Sequence, residues 1–286
     1  MTHREALLEG VRAVPALPTS AVEIMRLAND PAASMTSIER AVERDVGLAS
    51  NLLRLANSAY FSGRGAIGSV REAIVRLGMR RVAQLVLTTT TAPLARRPVR
   101  GYDIPAGGLL RHSVAVAVAA EELARALHIE APDYTYTAGL LHDVGKIVMG
   151  TFLEVEAKPI QDIAYGKNVA FDIAESRVLG IDHAELGAVL LEWWGLPYKV
   201  VDAVRWHHNP AGFDGPDKRV VDLVHLGDHL ARVCGTTSGA DGMNYTVSPD
   251  TIQRMSTTVE AIETVVEKVL ISMGELEGFF VEQGGA

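Results

Sequence analysis

Apolar residues recur at three- and four-residue spacing along almost the whole chain, and this period constrains the fold more than any other feature. It is the period of one face of an α-helix. No run alternates apolar and polar residues between the turn residues that a β-hairpin needs. The sequence therefore predicts an all-α protein, with helices near residues 3–12, 19–28, 36–44, 46–57, 69–76, 79–91, 109–128, 134–149, 155–166, 169–178, 183–194, 197–208 and 219–234.

The segment 92–108 interrupts the helical period, because it contains Pro93, Pro98, Pro105 and several glycines. It is the best candidate for a boundary. We predict an N-terminal helical part, a linker, a second helical subdomain and a C-terminal region of unknown role, over residues 1–95, 96–108, 109–235 and 236–286. The last region should contain a loop over 236–249 and one or two helices within 250–280.

Composition excludes several classes of protein. With 48% hydrophobic residues in 286, the chain can bury a sizeable core. No stretch approaches the roughly 20 apolar residues of a membrane helix, and charges in MTHREALLEG replace the apolar run of a signal peptide, so we expect a cytoplasmic protein. The single cysteine, Cys234, rules out an internal disulfide framework and a multi-thiolate metal site. The net charge of −8 disfavours binding to nucleic acid.

Several histidines occupy positions where the apolar stripe of a helix continues. His112 shares a face with Leu109 and Val116, and His142 shares one with Ala138. Asp143 follows about 100° round the same predicted helix. On the helix predicted over 219–234, Asp228 lies at the edge of the apolar face, just beyond a polar stripe that includes His225 and His229, which we expect to be solvated.

Two further predicted helices carry histidines, one at its start and the other at its end. His183 leads an apolar stripe with Asp182 as its predicted N-cap, and His207 and His208 close the helix predicted over 197–208. Each histidine alone is more often a hydrogen-bonded core residue than a ligand. Burying several imidazoles and carboxylates together is costly unless a cation or hydrogen bonds satisfy them. Nitrogen and oxygen ligands suit Zn, Fe, Mn, Co, Ni or Mg.

The order of these residues resembles that of the HD superfamily of metal-dependent phosphohydrolases. The segment LLHDVGK, residues 140–146, is the most specific part of this resemblance. The resemblance implies one or two divalent ions. A mononuclear centre would use His112, His142, Asp143 and Asp228, and a binuclear centre would add His183, His207 and His208. Lys146, and Asp143 as a bridging carboxylate, would then be the candidate catalytic residues, although Lys146 could equally be a surface lysine.

The first half resembles the HDOD family. The segments LLRLANSAYF and AIVRLG are specific for it, whereas Asp45-Val46 departs from its frequent Asp-Pro. The two resemblances together cover residues 13–235 and imply a multi-helix HDOD domain, with an N-terminal helical subdomain and an HD-like helical bundle. Such domains are bacterial signal-transduction modules with little established catalysis. The resemblance thus implies a protein partner, or a nucleotide or phosphate ligand.

The sequence is compatible with three functions. The first is a regulatory module, and the second is a metal-dependent phosphohydrolase of a phosphodiester or nucleotide. Cyclic di-GMP is disfavoured as its substrate, because HHNPAGFDGP at 207–216 lacks the Gly-Tyr-Pro segment of the HD-GYP relatives. The third is a nucleic-acid binder, since residues 69–85 resemble a helix-turn-helix around Gly78. This third function is disfavoured by the acidic chain. An apolar stripe that includes Val259 and Val266 could pack within the chain or form a homodimer contact.

Overall fold

The structure is a computed structural model that describes residues 2–28, 30–62, 65–236, 239–240 and 245–281. These residues form α-helices and two short 3-10 helices, and the described ranges contain no β-strand beyond one isolated bridge between Val99 and Ile104. The all-α prediction is confirmed. None of the described helices combines the length and apolar content that crossing a bilayer requires.

The first helices are α1 (His3–Ala13), α2 (Thr19–Ala28), α3 (Met35–Glu43), α4 (Val46–Ala56), α5 (Ala59–Ser62), α6 (Val70–Leu77), α7 (Met79–Ala95) and α8 (Gly108–Ala126). The next are α9 (Thr135–Leu141), α10 (Gly145–Lys167), α11 (Phe171–Leu179), α12 (His183–Trp193), α13 (Tyr198–Trp206) and α14 (Lys218–Val233). The last are α15 (Pro249–Met255), α16 (Val259–Glu275) and α17 (Glu277–Val281). The 3-10 helices span Arg100–Tyr102 and Pro210–Gly212.

The prediction of one continuous helix over 134–149 is wrong, and the difference matters for the site. It breaks after Leu141, and α10 begins at Gly145 and continues to Lys167. In between, the chain forms tight turns in which the amide of Val144 donates to the carbonyl of Leu141 and the amide of Lys146 donates to that of Asp143. The break lies at His142-Asp143, so the two side chains are not fixed about 100° apart on one helix.

The described residues divide into two compact units. The larger unit draws on residues 1–15 and 95–270, and the smaller unit draws on 16–94 and 271–286. This division separates residues 1–15 from the predicted N-terminal part, whereas its break between residues 94 and 95 lies one residue from the predicted boundary. It places α1 with the larger unit, where the guanidinium of Arg4 contacts the Glu185 carboxylate at 2.7 Å and the Gly180 carbonyl at 2.6 Å.

The segment predicted as a linker, 96–108, is also part of the larger unit. Val99, Tyr102 and Ile104 are buried, and the 3-10 helix Arg100–Tyr102 packs against α10. Prolines end a helix but do not say whether the following chain is solvated. The apolar residues between the prolines are what pack this segment.

The core of the larger unit is built around α8, which packs between α9 and α14. Two glycines permit the close approach. A Cβ atom at Gly139 would lie 2.8 Å from the Cα of Ala117, and one at Gly227 would lie 3.1 Å from the carbonyl oxygen of Val116. The short distance between these helices brings His112 on α8 next to Asp228 on α14 and close to His142, which follows α9.

The smaller unit contains α2 to α7 and α17. Its core includes Ile24, Ile38, Leu52 and Ile74. The Asp45 side chain accepts a hydrogen bond from the amide of Leu48 at 3.0 Å and so caps the N-terminus of α4.

Candidate metal centre

The structure brings all seven predicted ligand residues together within the larger unit. His112 lies on α8 and Asp228 on α14, whereas the other five lie at helix ends: His142 and Asp143 between α9 and α10, His183 at the start of α12, and His207 and His208 after α13. Six of them are at most 2% exposed, and only His208 is partly exposed.

The first group of candidate ligands consists of His112, His142 and Asp228. One ligand atom from each lies within 4.8 Å of the others. The Nε2 atom of His112 is 3.0 Å from Oδ1 of Asp228, and Nε2 of His142 is 3.8 Å from the same oxygen. These three atoms are close enough to share one ion.

The second group consists of Asp143, His183, His207 and His208, whose ligand atoms also lie within 4.8 Å of one another. Oδ1 of Asp143 is 3.4 Å from Nε2 of His183 and 3.8 Å from Nε2 of His207. The Nε2 atoms of His183 and His208 are 2.9 Å apart.

Asp143 lies between the two groups. Its Oδ1 atom faces the second group, whereas Oδ2 is 3.3 Å from Nε2 of His142 and 3.7 Å from Nε2 of His112. Burial alone would raise the pKa of this carboxyl group, but His142 and the ammonium of Lys146 hold that pKa well below its usual range. Asp143 is thus an anionic carboxylate in position to bridge two cations.

Three buried atoms at the centre have no hydrogen-bond partner among the described residues: Nε2 of His142, Nε2 of His207 and Oδ1 of Asp143. The Nδ1 atoms of these histidines lie 2.8 Å from the Gly139 carbonyl and 2.6 Å from the Val204 carbonyl. A carbonyl only accepts, so each Nδ1 carries a proton, and in the neutral ring each Nε2 presents a lone pair to the centre. Such atoms are rare in a protein interior unless a ligand satisfies them. The donor set fits a divalent metal ion bound by nitrogen and oxygen.

Lys146 lies inside the centre, so the alternative of a surface lysine is wrong. Its side chain is 1% exposed, and Nζ donates to Oδ2 of Asp143 at 2.6 Å. The ammonium also lies 5.5 Å from the centroid of the Tyr102 ring. The i, i+3 spacing from Asp143 is the sequence signal for this pair.

Arg232 is a member of the site that the sequence reasoning missed. Its guanidinium contacts both carboxylate oxygens of Asp228, with Nε 3.1 Å from Oδ1 and Nη2 against Oδ2. The i, i+4 spacing on α14 could have found it. Each of the two candidate ligand carboxylates therefore has a basic side chain beside it.

His208, the partly exposed candidate ligand, is covered by Tyr245, which belongs to the region predicted as a loop. Its ring stacks on His208 with the centroids 4.2 Å apart and the planes inclined by 3°. The guanidinium carbon of Arg232 is 4.6 Å from the centroid of the same ring. Thr236, from the start of this region, accepts a hydrogen bond from Nδ1 of His112 at 3.0 Å while its hydroxyl donates to Ala231. The rest of the predicted loop lies partly outside the described residues.

His225 is buried, so the prediction that it is solvated is wrong. Nδ1 of His225 donates to the carbonyl of His207 at 2.7 Å, and Nε2 accepts from the amide of Ser248 at 2.9 Å. His229 is half-buried beside it, with the ring centroids 4.9 Å apart. The polar stripe of α14 is covered by chain that follows it in sequence, which helical periodicity does not reveal.

The buried His225 makes the stability of metal-free protein depend on pH. Burial, and then the neighbouring His229, lower the pKa of His225 from 6.5 to about 4. A group with a lowered pKa in the folded state contributes stability above its unfolded pKa, and the contribution disappears as the pH falls to the folded pKa. Between pH 6.5 and 4 we expect His225 to reduce the free energy of unfolding by about 3 kcal/mol.

Urea unfolding of chelator-treated protein at several pH values measures this effect. Burial also lowers the pKa of His112, His207 and His208, so these residues act in the same direction, whereas His183 acts in the opposite one because its pKa is raised. Replacing His225→Gln should reduce the pH dependence, and His128→Asn at an exposed position should leave it unchanged. An identical pH profile for His225→Gln and wild type would contradict the assignment.

Comparison with known proteins gives relatives and a shared fold. The chain is 29% identical over 198 residues to an uncharacterized protein of Treponema pallidum (strain Nichols), an alignment that covers 68% of this chain and 38% of the relative. It is 28% identical over 156 residues to ribonuclease Y of Thermus thermophilus, covering 54% of this chain and 22% of the enzyme. The chain thus spans less than half the length of either curated relative.

Among solved structures, a candidate phosphohydrolase of Shewanella amazonensis superposes with a TM-score of 0.73, at 23% identity, over 98% of this chain and 99% of the other. This likeness shows a shared fold. The sequence profile of the HDOD domain matches residues 14–210, which is 197 of 286 residues. A match over more than half of the chain, on an all-helical fold, shows that the chain belongs to the HDOD family.

Proposed function

We propose that this chain is a cytoplasmic bacterial signal-transduction module that holds one or two divalent metal ions and acts by binding a protein partner or a small nucleotide or phosphate ligand. The observation that carries the proposal is that the candidate centre has unpaired donor atoms and is covered by protein. Its buried atoms Nε2 of His142, Nε2 of His207 and Oδ1 of Asp143 fit a metal, while its only partly exposed ligand, His208, is covered by Tyr245. A metal closed in by protein is typical of a structural or regulatory site.

The charges around the centre support the same interpretation. Lys146 and Arg232 neutralise Asp143 and Asp228, so bound divalent ions would give the centre a net positive charge that suits an anionic nucleotide or phosphate ligand. In this proposal residues 109–235 hold the metal, and the remaining helices present the surface for the partner. Binding to nucleic acid stays disfavoured, since Arg71 and Arg76 of the helix-turn-helix-like segment pair with Glu39 and Glu72.

A metal-dependent phosphohydrolase is the alternative, and the full set of seven candidate ligands together with Lys146 favours it. Bound divalent ions would lower the pKa of a water molecule and neutralise charge on a phosphoryl oxygen. His112, His142, Asp143 and Asp228 would hold one ion, and His183, His207 and His208 would join Asp143 to hold a second. The buried ammonium of Lys146 would add positive charge beside the reacting phosphate. The relatives named as ribonuclease and phosphohydrolase are consistent with this class.

Elemental analysis of protein purified without an affinity tag tests the metal. We expect one or two divalent ions per chain in the wild type and their loss in His142→Ala, because this change removes an Nε2 atom aimed at the centre. His128→Asn, at an exposed histidine outside the centre, is the matched control and should keep the wild-type content. A wild type that binds no metal under metal-replete conditions would contradict both candidate functions.

Hydrolysis assays separate the two functions. The metal-loaded wild type and a Tyr245→Ala variant are incubated with bis(p-nitrophenyl) phosphate. The regulatory proposal expects no metal-dependent turnover by either protein. Turnover that requires the metal and disappears in His142→Ala would instead establish the phosphohydrolase, and turnover only in Tyr245→Ala would show a competent centre that Tyr245 closes.

A further inference from the structure

Glu175 is a buried carboxylate directly behind one of the candidate ligands. It lies on α11, is 0% exposed, and accepts three hydrogen bonds. Its Oε2 atom accepts hydrogen bonds from the backbone amide and from the ring Nδ1 of His183, each at 2.8 Å. Its Oε1 atom accepts a hydrogen bond from the hydroxyl of Tyr102, a fully buried residue.

This arrangement fixes the ring of His183. An ionised carboxylate only accepts hydrogen bonds, so Nδ1 of His183 carries the proton. The ring then presents Nε2 to the centre, 3.4 Å from Oδ1 of Asp143 and 2.9 Å from Nε2 of His208. The second bond, from the amide of His183, holds the first residue of α12 and thus limits the position of the ring as well as its orientation.

The other histidines whose Nδ1 partners the structure shows have neutral partners. His142 and His207 donate to backbone carbonyls, and His112 donates to the hydroxyl of Thr236. A carboxylate partner increases the basicity of the opposite ring nitrogen more than a neutral acceptor does. His183 belongs to the second group of ligands, so the two candidate metal positions differ in the strength of one ligand.

We propose that Glu175, oriented by Tyr102, is a positioning residue that makes His183 a strong ligand and so sets the affinity of the second metal position independently of the first. The second position is the one defined by Asp143, His183, His207 and His208, and the first is the one defined by His112, His142 and Asp228. This inference rests on the proposed metal-binding function. It adds that the chain tunes the two positions separately, through residues that are not ligands.

Titration of the metal-free full chain with Co²⁺ tests the inference, followed by calorimetry and by the visible absorption of the bound ion. The wild type is expected to bind two ions. Glu175→Gln, which keeps the size of the side chain and removes its charge, should weaken one of them about 10- to 100-fold and leave the other unchanged. Tyr102→Phe, which removes only a hydroxyl group, should act in the same direction with a smaller effect.

Glu192→Gln on α12 is the matched control, because Glu192 carries its carboxylate on the same helix as His183 but on the exposed surface. It should bind Co²⁺ as the wild type does. A change in the visible spectrum confined to the weakened ion distinguishes positioning from a general loss of structure, which would weaken both ions. The assignment of Glu175 alone would be overturned by any of three results: unchanged affinities at both positions, an equal loss of affinity at both, or a wild type that binds one ion whose affinity Glu175→Gln does not change. No Co²⁺ binding by the wild type would overturn the metal-binding function with it.

Discussion

Replacing Asp143→Asn is expected to abolish metal binding and to destabilise the protein by about 3–5 kcal/mol. Asp143 is the only candidate ligand whose two oxygens face both groups, with Oδ1 3.4 Å from Nε2 of His183 and Oδ2 3.3 Å from Nε2 of His142. An amide lacks the charge and offers only one accepting atom. The same change takes the carboxylate away from the Lys146 ammonium, which is 1% exposed. Elemental analysis and urea unfolding measure the two effects.

A double variant separates these effects. In Asp143→Asn combined with Lys146→Met, the buried positive charge is removed together with its partner, so much of the lost stability should return while the metal stays absent. Asp162→Asn on α10 is the control, because Asp162 is exposed, and it should change neither property. If Asp143→Asn retained wild-type metal content, Asp143 could not be the shared ligand of the centre.

The features that the sequence predicted well depend on neighbours close in the chain. Most helices begin and end within a few residues of their predicted bounds, since apolar period, prolines and caps are local signals. Asp182 caps α12 as predicted, accepting from the amide of Glu185 at 2.8 Å. The inward position of His112 is likewise confirmed, because the stripe of α8 continues through it.

The features that it missed depend on contacts between distant segments. Tyr102 and Glu175 are 73 residues apart, and His208 and Tyr245 are 37 apart, so no helical period relates them. His225 looked solvated because the amide of Ser248 that binds its ring belongs to a later segment. The contact of α1 with the larger unit likewise joins residues distant in the chain, such as Arg4 and Glu185. An apolar stripe shows which face of a helix is buried but not which helix covers it.

Gly145→Ala is expected to have a large effect without altering any candidate ligand. A Cβ atom at this position would overlap the backbone carbonyl oxygen of His183 and lie 2.6 Å from the backbone nitrogen of Gly187. Backbone atoms cannot rotate away as a flexible side chain can, so α10 and α12 must move apart. We expect a loss of stability of about 1–3 kcal/mol. Because Asp143 precedes α10 and His183 begins α12, the second metal position should be lost with it.

Gly166→Ala on the same helix is expected to raise stability instead of lowering it. Apart from the backbone of the helix itself, no atom of the described residues lies within 4 Å of the position that a Cβ would take there. Alanine also restricts the unfolded chain more than glycine does, so this variant should gain about 0.5–1 kcal/mol. Urea unfolding and Co²⁺ titration of both variants give a direct comparison. If Gly145→Ala bound two ions with wild-type affinity, the distance between Asp143 and His183 would not depend on the close contact of α10 with α12. Loss of only the second ion would instead show that this contact, made by residues that bind nothing themselves, determines half of the centre.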